Sequence, residues 1–567
     1  MSLIGALNAG ATGLAVSQAS IQTTGNNISN SGDANYVRET TQQSPSADQQ
    51  ISQGIFVGTG VSLTSVQRQV DEALNSRLRS STSDSQSATT TQQWLDQVQS
   101  VFNALGTTNL QTSMSQFFDS WSTLANTPSD NGQRQIVIQD GQALAQEFSS
   151  QVTQLNSLST EVTTSISAQV NQADTLSTQI ASLNSQIVVA EGGSGAQANS
   201  LLDQRDGLLS QLSQLMPITT VAQPSGAMNV YVGSEPLVTD NTSRGVTLAN
   251  QTVNGVTSQV IAFKSDNLAI SLNGGGQLGA LQDMTSRITG VVDQVNTLAH
   301  NLIFELNKVH SSGQGLQGYD SVTATNTVAD PTQPLDSSAA GLQFTPNNGS
   351  FVIHVVDKTT GADTSTLIPV NLTGSPSDTS LNSLVASLNG VSGVSASIVG
   401  GALKISSASS TSSISFSQDS SGTLAALGIN SFYTGTDATN IAVNQTLVNQ
   451  PQLLAAAMNG QVDDNQTALA IAQLGSQPVS ALGGASLNDS YQSMINGVAA
   501  QDATAQSNAS AATAVQTTLQ SQRDALSGVS IDEETVNLLK QQQAFMGASK
   551  LISVVDQLMQ TIIGMVQ

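Results

Sequence analysis

Apolar residues recur every seven positions at both ends of this 567-residue chain. Leu7, Leu14, Ile21 and Ile28 keep that step at the front. Leu538, Phe545, Ile552, Met559 and Val566 keep it at the back, where Leu551, Val555, Leu558 and Ile562 join them. A heptad seam at each end predicts two helices that pair with each other and with copies of themselves. The front helix, over 1–30, carries Gly5, Gly10, Gly13 and Gly25. Each interior glycine costs about 1 kcal/mol relative to alanine, which nearly offsets burial of four aliphatics at roughly 1.5–3 kcal/mol each. This helix is therefore expected to be marginal until a partner covers it. The rear helix is better specified. Ser530 and Glu533 predict a capping box, and Asp532, Glu533 and Glu534 suit the positive end of the helix dipole.

Between the ends the period changes twice. From about 66 to 215 it is helical. Trp94, Leu95, Val98, Val101, Phe102 and Leu105 trace one face, and Phe117, Phe118, Trp121 and Leu124 a second, stopped at Thr127-Pro128. Asp130 then predicts an N-cap for the longest helix, whose apolar positions run from Phe148 to Ile187 at alternating gaps of three and four. A Gly/Ser break falls at 192–195. After Pro217 the pattern turns to short alternating runs, read as strands, up to Gly274-Gly275-Gly276. Helical period returns from Leu278 to Val309. Residues 320–435 predict an inserted β-rich domain, with a hairpin from Val394 to Ser406 around Gly400-Gly401. From about 440 to 526 the composition reads as helix again.

The fold class expected is mainly α with β-rich insertions: long terminal helices forming a coiled-coil base, a helical rod-like body and outer β domains. The boundaries are 1–65 plus 526–567 for the terminal assembly domain, and 66–216, 277–319 and 436–525 for the helical body. A β-rich subdomain takes 217–276 and the inserted outer domain 320–435.

Composition narrows the function. Acidic residues number 39 against 15 basic, a net charge of −24. Nucleic acid and anionic membrane are poor partners for such a surface. Charged residues make up only 10% of the chain, against about 25% on average, so the surface is uncharged and polar and repels its own copies weakly. No cysteine is present, which excludes disulfides and cysteine-based chemistry. His300, His310 and His354 read as structural histidines. Asp203 with Asp206, Asp463 with Asp464, and Asp532 to Glu534 read as solvated or capping charges, because sequence neighbours on a helix do not face each other across a cleft. The glycine runs lack the lysine and the strand-to-helix setting of a phosphate loop. No catalytic residue, cofactor or metal is expected. The first basic residue is Arg38, so the front lacks the charged start of a secretory signal.

Short motifs are more specific. Gly25-Asn26-Asn27-Ile28-Ser29-Asn30, followed by Tyr36 and Arg38, resembles the N-terminal signature of bacterial flagellar rod, hook and hook-associated axial proteins. Ser527 to Glu534 with Asn537-Leu538 and Gln541-Gln542-Gln543-Ala544-Phe545 resembles the matching C-terminal signature. Phe117-Phe118 with Trp121 and Leu124, and Leu201-Leu202-Asp203-Gln204-Arg205-Asp206, are similar to the hook-associated, hook–filament junction members. Leu381 to Ile429 resembles a small β-rich module found in flagellins and hook-associated proteins. Asn35 stands where the family usually has glycine and Asp33 where threonine is common; Asn tolerates the left-handed backbone such a turn can require.

The resemblance implies a non-enzymatic subunit, exported by the flagellar type III apparatus without a cleaved signal and located outside the cell in the flagellum. Its partners would be further copies in a ring, hook protein below, the next junction protein above, and an export chaperone at the C-terminal region. Asn26, Asn27, Asn30 and Tyr36 would join the heptad residues in the assembly interface. Other readings left open are another axial protein, hook protein or flagellin, and a secreted adhesin or enzyme with a glycan-binding β domain.

Overall fold

The structure is a computed structural model that describes residues 3–102, 109–192, 197–253, 256–375 and 377–566. Helix α1 (Leu3–Ser29) is followed by strands β1 (Glu39–Pro45), β2 (Gln49–Ser52), β3 (Ile55–Val57) and β4 (Val61–Arg68). β1 pairs antiparallel with β4, and β2 with β3 forms a small hairpin between them. Helices α2 (Glu72–Phe102), α3 (Leu110–Asn126), α4 (Asn131–Glu191) and α5 (Asn199–Leu215) come next. Asp130 caps α4 as its position predicts: its Oδ1 accepts from Gly132 N–H at 2.7 Å. Leu105 and most of the Gly/Ser break at 192–195 lie outside the described residues.

Strands β5 (Ile218–Ala222), β6 (Met228–Val232), β7 (Glu235–Thr239) and β8 (Thr242–Ser243) form one antiparallel sheet, and β9 (Val246–Val253) with β10 (Val256–Phe263) a second. Helix α6 (Gly276–Ser311) leads to β11 (Ser321–Thr323), β12 (Gly349–Asp357) and β13 (Asp363–Val370). Then follow α7 (Leu381–Asn389), β14 (Val394–Val399), β15 (Ala402–Ser407), β16 (Ser412–Ser417), α8 (Thr423–Leu427), β17 (Tyr433–Thr434) and β18 (Ala442–Val443). The remaining helices are α9 (Gln445–Asn449), α10 (Gln466–Leu474), α11 (Leu487–Ser527) and α12 (Ile531–Val566). The β14–β15 hairpin turns at Gly400-Gly401. Val399 pairs with Ala402, and both glycines have positive φ, 59° and 83°, as a two-residue primed turn demands.

The class is the expected one, mainly helical with small sheets. One stretch differs. Residues 440–486 hold the short α9 and α10 and two single 3-10 turns, Pro451–Leu453 and Ser480–Leu482, among loops and a two-residue strand. Pro451 and Pro478 interrupt what composition alone marks as helix.

The chain divides into two compact units. The first takes Met1–Gln93, Val162–Met284 and Thr504–Gln567, the second Trp94–Glu161 and Thr285–Ala503. In the first unit, Val170, Leu176 and Ile180 of α4 and Leu209, Leu212 and Leu215 of α5 pack with the inward side chains of β6, β7 and β10. The second unit centres on Phe117, Trp121, Phe432 and Tyr433. Phe432 lies 5.5 Å from Phe117 and 5.6 Å from Trp121 between ring centroids, separations at which aromatic pairs attract. Its β part buries Phe351, Ile353, Ile368, Ile414 and Phe416 of the β13–β12–β16 sheet, and α7 packs on β14.

Candidate assembly surface

In the first unit α1 and α12 pack side by side. Gly10 stands against Ile552, Gly13 against Ala548 and Asn27 against Glu534, so the two helices run antiparallel. The front glycines have different reasons. A Cβ at Gly10 would stand 2.8 Å from Ile552 Cγ1, whereas one at Gly13 would make an ordinary 3.7 Å contact with Ala548 Cβ. Where α1 also meets the β1–β4 ribbon its contacts are polar. Ser20 and Thr41 hydroxyls lie 3.0 Å apart, and Gln43 Nε2 donates to Ser20 Oγ at 3.2 Å.

The sequence-derived residues fall into three groups. Leu7, Leu14, Ile21 and Ile28 on α1, with Leu538, Phe545, Ile552 and Met559 on α12, are half-buried, and Val555 is buried. Leu551, Leu558 and Ile562 are 42%, 49% and 49% exposed. They belong to a second apolar stripe with Val554 and Met565, also exposed. That stripe lies one residue, about 100°, around the helix from the covered one. The first stripe is covered within the chain; the second is left largely open on the helix surface. Val566 ends α12, and its side chain lies outside the described residues.

The signature polar residues separate as well. Asn26 and Asn30 are exposed, and Asn30 Nδ2 donates back to Asn26 O at 3.0 Å, closing the end of α1. Asn27 is buried at the hub of a polar node. Its Nδ2 donates to Glu39 O at 2.9 Å and Glu534 Oε2 at 3.0 Å. Its Oδ1 accepts from Tyr36 OH at 2.9 Å and Glu39 N–H at 3.0 Å. Every amide function of Asn27 is thus used. Arg38 completes the node, bonding Glu534 Oε1 through Nε at 2.9 Å and Glu533 Oε2 through Nη1 at 3.0 Å. Burial, reinforced by the carboxylates of Glu39, Asp203 and Glu534, pushes the Tyr36 hydroxyl far above its ordinary value, so it stays a donor.

Three expectations about this region change. Glu533 is turned to Arg38, so the capping box is not reciprocal; Ser530 Oγ accepts from Glu533 N–H at 3.4 Å. Glu534 and Asp203 are not solvated charges but buried ones, at 2% and 7% exposure. Asn35 does not adopt a left-handed backbone: among the described residues the non-glycine positions with positive φ are Asp240, Asn267, Asn273, Gln418 and Asn430. Asp33 shapes the turn instead, its Oδ1 accepting from Asn35 N–H at 2.9 Å.

A second ionic cluster anchors the same turn. Arg68 at the end of β4 meets Asp203 at 2.7 Å and Asp206 at 2.5 Å, both on α5, and Asp203 Oδ2 accepts from Val37 N–H at 3.4 Å. Burial raises the Asp203 carboxyl to about 6 despite Arg68, with Asp206 adding to the rise. Arg205 faces the other way, donating to Asn184 Oδ1 at 3.1 Å and Gly226 O at 2.8 Å. The Leu201–Asp206 motif is therefore a fastener between α5, α4 and the adjoining loops. Sequence reasoning noted Arg38 in the front signature but gave it no contact, and missed Arg68, Val554 and Met565. The usable signal for the arginines was their scarcity, since a chain with 15 basic residues spends few of them idly.

The second unit offers one arrangement with the order of a hydrolytic triad. His354 Nδ1 lies 2.8 Å from Asp363 Oδ2 and its Nε2 lies 2.8 Å from Ser417 Oγ. Ser417 is 2% exposed, so an acyl substrate has no path to its Oγ. The array ties β13 to β16 across β12. His310 is fully buried, set beside Asn430 O at 2.8 Å through Nδ1 and accepting from Ala455 N–H at 3.0 Å through Nε2. Burial pulls it down to about 4. Among the described residues no cluster of three or more metal-ligating side chains occurs, and no helix is long and apolar enough to cross a membrane.

Comparison with known proteins agrees with the motif reading. Residues 95–323 match the family model described as flagellar hook-associated protein FlgK helical domain, and 520–565 match the flagellar basal body rod FlgEFG protein C-terminal model. The flagellar hook-associated protein 1 of Escherichia coli K12 is 26% identical, over 98% of this chain and 99% of that protein. The Salmonella typhimurium protein of the same name is 25% identical, over 97% and 98%. That of Bacillus subtilis is 28% identical over 40% of this chain and 45% of its own length. The solved structure of the flagellar hook junction protein FlgK from Burkholderia pseudomallei aligns with a TM-score of 0.49 at 18% identity, covering 79% of this chain and 99% of that one.

Proposed function

We propose that the chain is a member of the flagellar hook-associated protein 1 family, a structural subunit of the junction between flagellar hook and filament, polymerised through its terminal helices. The observation that carries the mode of assembly is the second stripe of α12. Leu551, Val554, Leu558, Ile562 and Met565 are exposed on one face of a helix whose other apolar face α1 already covers. A strip of this kind gains roughly 25 cal/mol per Å² when another surface removes it from water. A neighbouring copy in a ring supplies that surface, and the weakly charged exterior permits close approach. Hook protein on one side and the next junction protein on the other are the further partners.

Export without a cleaved signal, and a chaperone on the C-terminal region, belong to the same proposal. The physical support is again the exposed α12 stripe, which needs a cover before assembly. The Asn27–Arg38–Glu534 node has a separate role, holding α1 and α12 in one register so that the stripe is presented. We assign no reaction to the chain.

The test separates the two faces of α12. Leu558→Lys is expected to leave the monomer folded and to abolish joining of filaments to hooks in a strain lacking the native gene. Ile552→Lys is expected to disrupt the α1–α12 pair itself, seen as lost helical circular dichroism. Filament-bearing hooks with Leu558→Lys, or with a chain lacking 531–567, would refute assembly through this helix.

A further inference from the structure

In the first unit a cavity of about 200 Å³ lies beneath the turn that follows α1. Asn75, Arg79 and Thr82 of α2, Asp206 and Ser210 of α5, and Arg523 of α11 are on its wall. Its volume is several times the roughly 30 Å³ that one water occupies in the liquid.

The charge balance around it is unusual for a chain of net −24. Arg79 is 7% exposed, yet among the described residues its partners are Thr220 Oγ1 at 2.8 Å and, distantly, Glu72 Oε2 at 3.9 Å. A guanidinium has five N–H donors, and a buried charge without a close counter-ion is costly. Burial lowers its proton affinity despite the carboxylates of Glu72 and Asp206. Arg523 spends one nitrogen on Ala34 O at 3.1 Å and on the half-exposed Asp524 at 3.2 Å. The acid on the wall, Asp206, is already taken by Arg68 at 2.5 Å. Two arginines thus border a partly open polar space whose own carboxylate is paired with Arg68.

We infer that this cavity is a binding site for a small tetrahedral oxyanion of the phosphate or sulfate class, held between Arg79 and Arg523. The planar fork of arginine matches two oxygens of such an anion, and Thr82, Ser210 and Asn75 offer neutral donors beside it. Bound there, the anion joins α2 and α11 and, through the Arg523–Ala34 bond, steadies the turn that fixes α1.

The experiment uses the full chain. Thermal unfolding is followed against increasing sodium phosphate at constant ionic strength, with calorimetric titration of phosphate in parallel. A saturable rise in Tm and a saturable heat are expected for the native chain. Arg523→Gln, at a partly exposed position, should weaken phosphate binding about tenfold or more, and Arg79→Gln should abolish it. Arg77→Gln, one exposed charge removed from the same helix, should leave it unchanged. If Arg79→Gln fails to fold, Arg523→Gln decides alone. A Tm rise that never saturates and persists in Arg523→Gln reflects general salt exclusion and overturns the site, as does absence of any saturable heat.

Discussion

The two units of this molecule bury their difficult groups in different ways. The second surrounds His310 with aromatic rings and gives each imidazole nitrogen a backbone partner, keeping it neutral. Its centre is self-sufficient. The first instead buries Glu534, Asp203 and Arg205, ties each to named partners, and leaves an apolar stripe on α12 open. Buried ion pairs contribute little net stability over apolar packing, but removing either member is costly and wrong registers leave a charge unpaired. The first unit is therefore tuned for position and the second for independent stability.

The sharpest way to break that contrast is to remove one buried anchor from each unit. Trp121→Ala should cost the second unit about 3–5 kcal/mol, with hydrogen exchange accelerated there and unchanged in α1 and α12. Glu534→Ala should cost the first unit about 3 kcal/mol, with accelerated exchange in α1, α12 and residues 33–39 alone. Equal loss in both units from either variant would show that they do not behave separately.

Acidity should move the units in opposite directions. His310 is held at about 4 against an ordinary 6.5, so its contribution is complete above 6.5 and fades as pH falls toward 4. Asp203 is raised to about 6 from 3.8, so its contribution is complete below 3.8 and fades as pH rises through 6. Exchange measured from pH 6.5 to 4 should show the second unit weakening while the α5 region strengthens. Asp203→Asn and His310→Gln should each flatten one slope. The smallest effect separates glycines within α1. A Cβ at Gly25 meets nothing within 4 Å, so Gly25→Ala should stabilise the first unit by about 0.5–1 kcal/mol. Gly10→Ala should fail to do so, because Ile552 Cγ1 would stand 2.8 Å away. Urea midpoints of the two variants check this.

Local pattern was enough for the elements with strong local causes. The terminal helices, the Asp130 cap and the Gly400-Gly401 hairpin each depend on residues close in sequence. What distant parts of the chain decide was not readable. Leu551 and Val555 look alike on a helical wheel, yet one is exposed and the other buried, because only α1 distinguishes them. Asp203 looks like any helix-surface acid until Arg68, over a hundred residues earlier, is brought beside it. Asn35 was read through the glycine it replaces, whereas Asp33 removes the need for a left-handed backbone. The stretch 440–486 misled because alanine-rich composition speaks for helix while its prolines speak against it.

The antiparallel α1–α12 pair has a consequence in time. Its contacts join α1 to residues more than five hundred positions away, so α1, which meets β1 and β4 early, gains its helical cover only once α12 has been made. A closure across more than five hundred residues is entropically slow compared with folding inside the intervening segments. The α1–α12 pair is thus the last contact of the first unit to come into being.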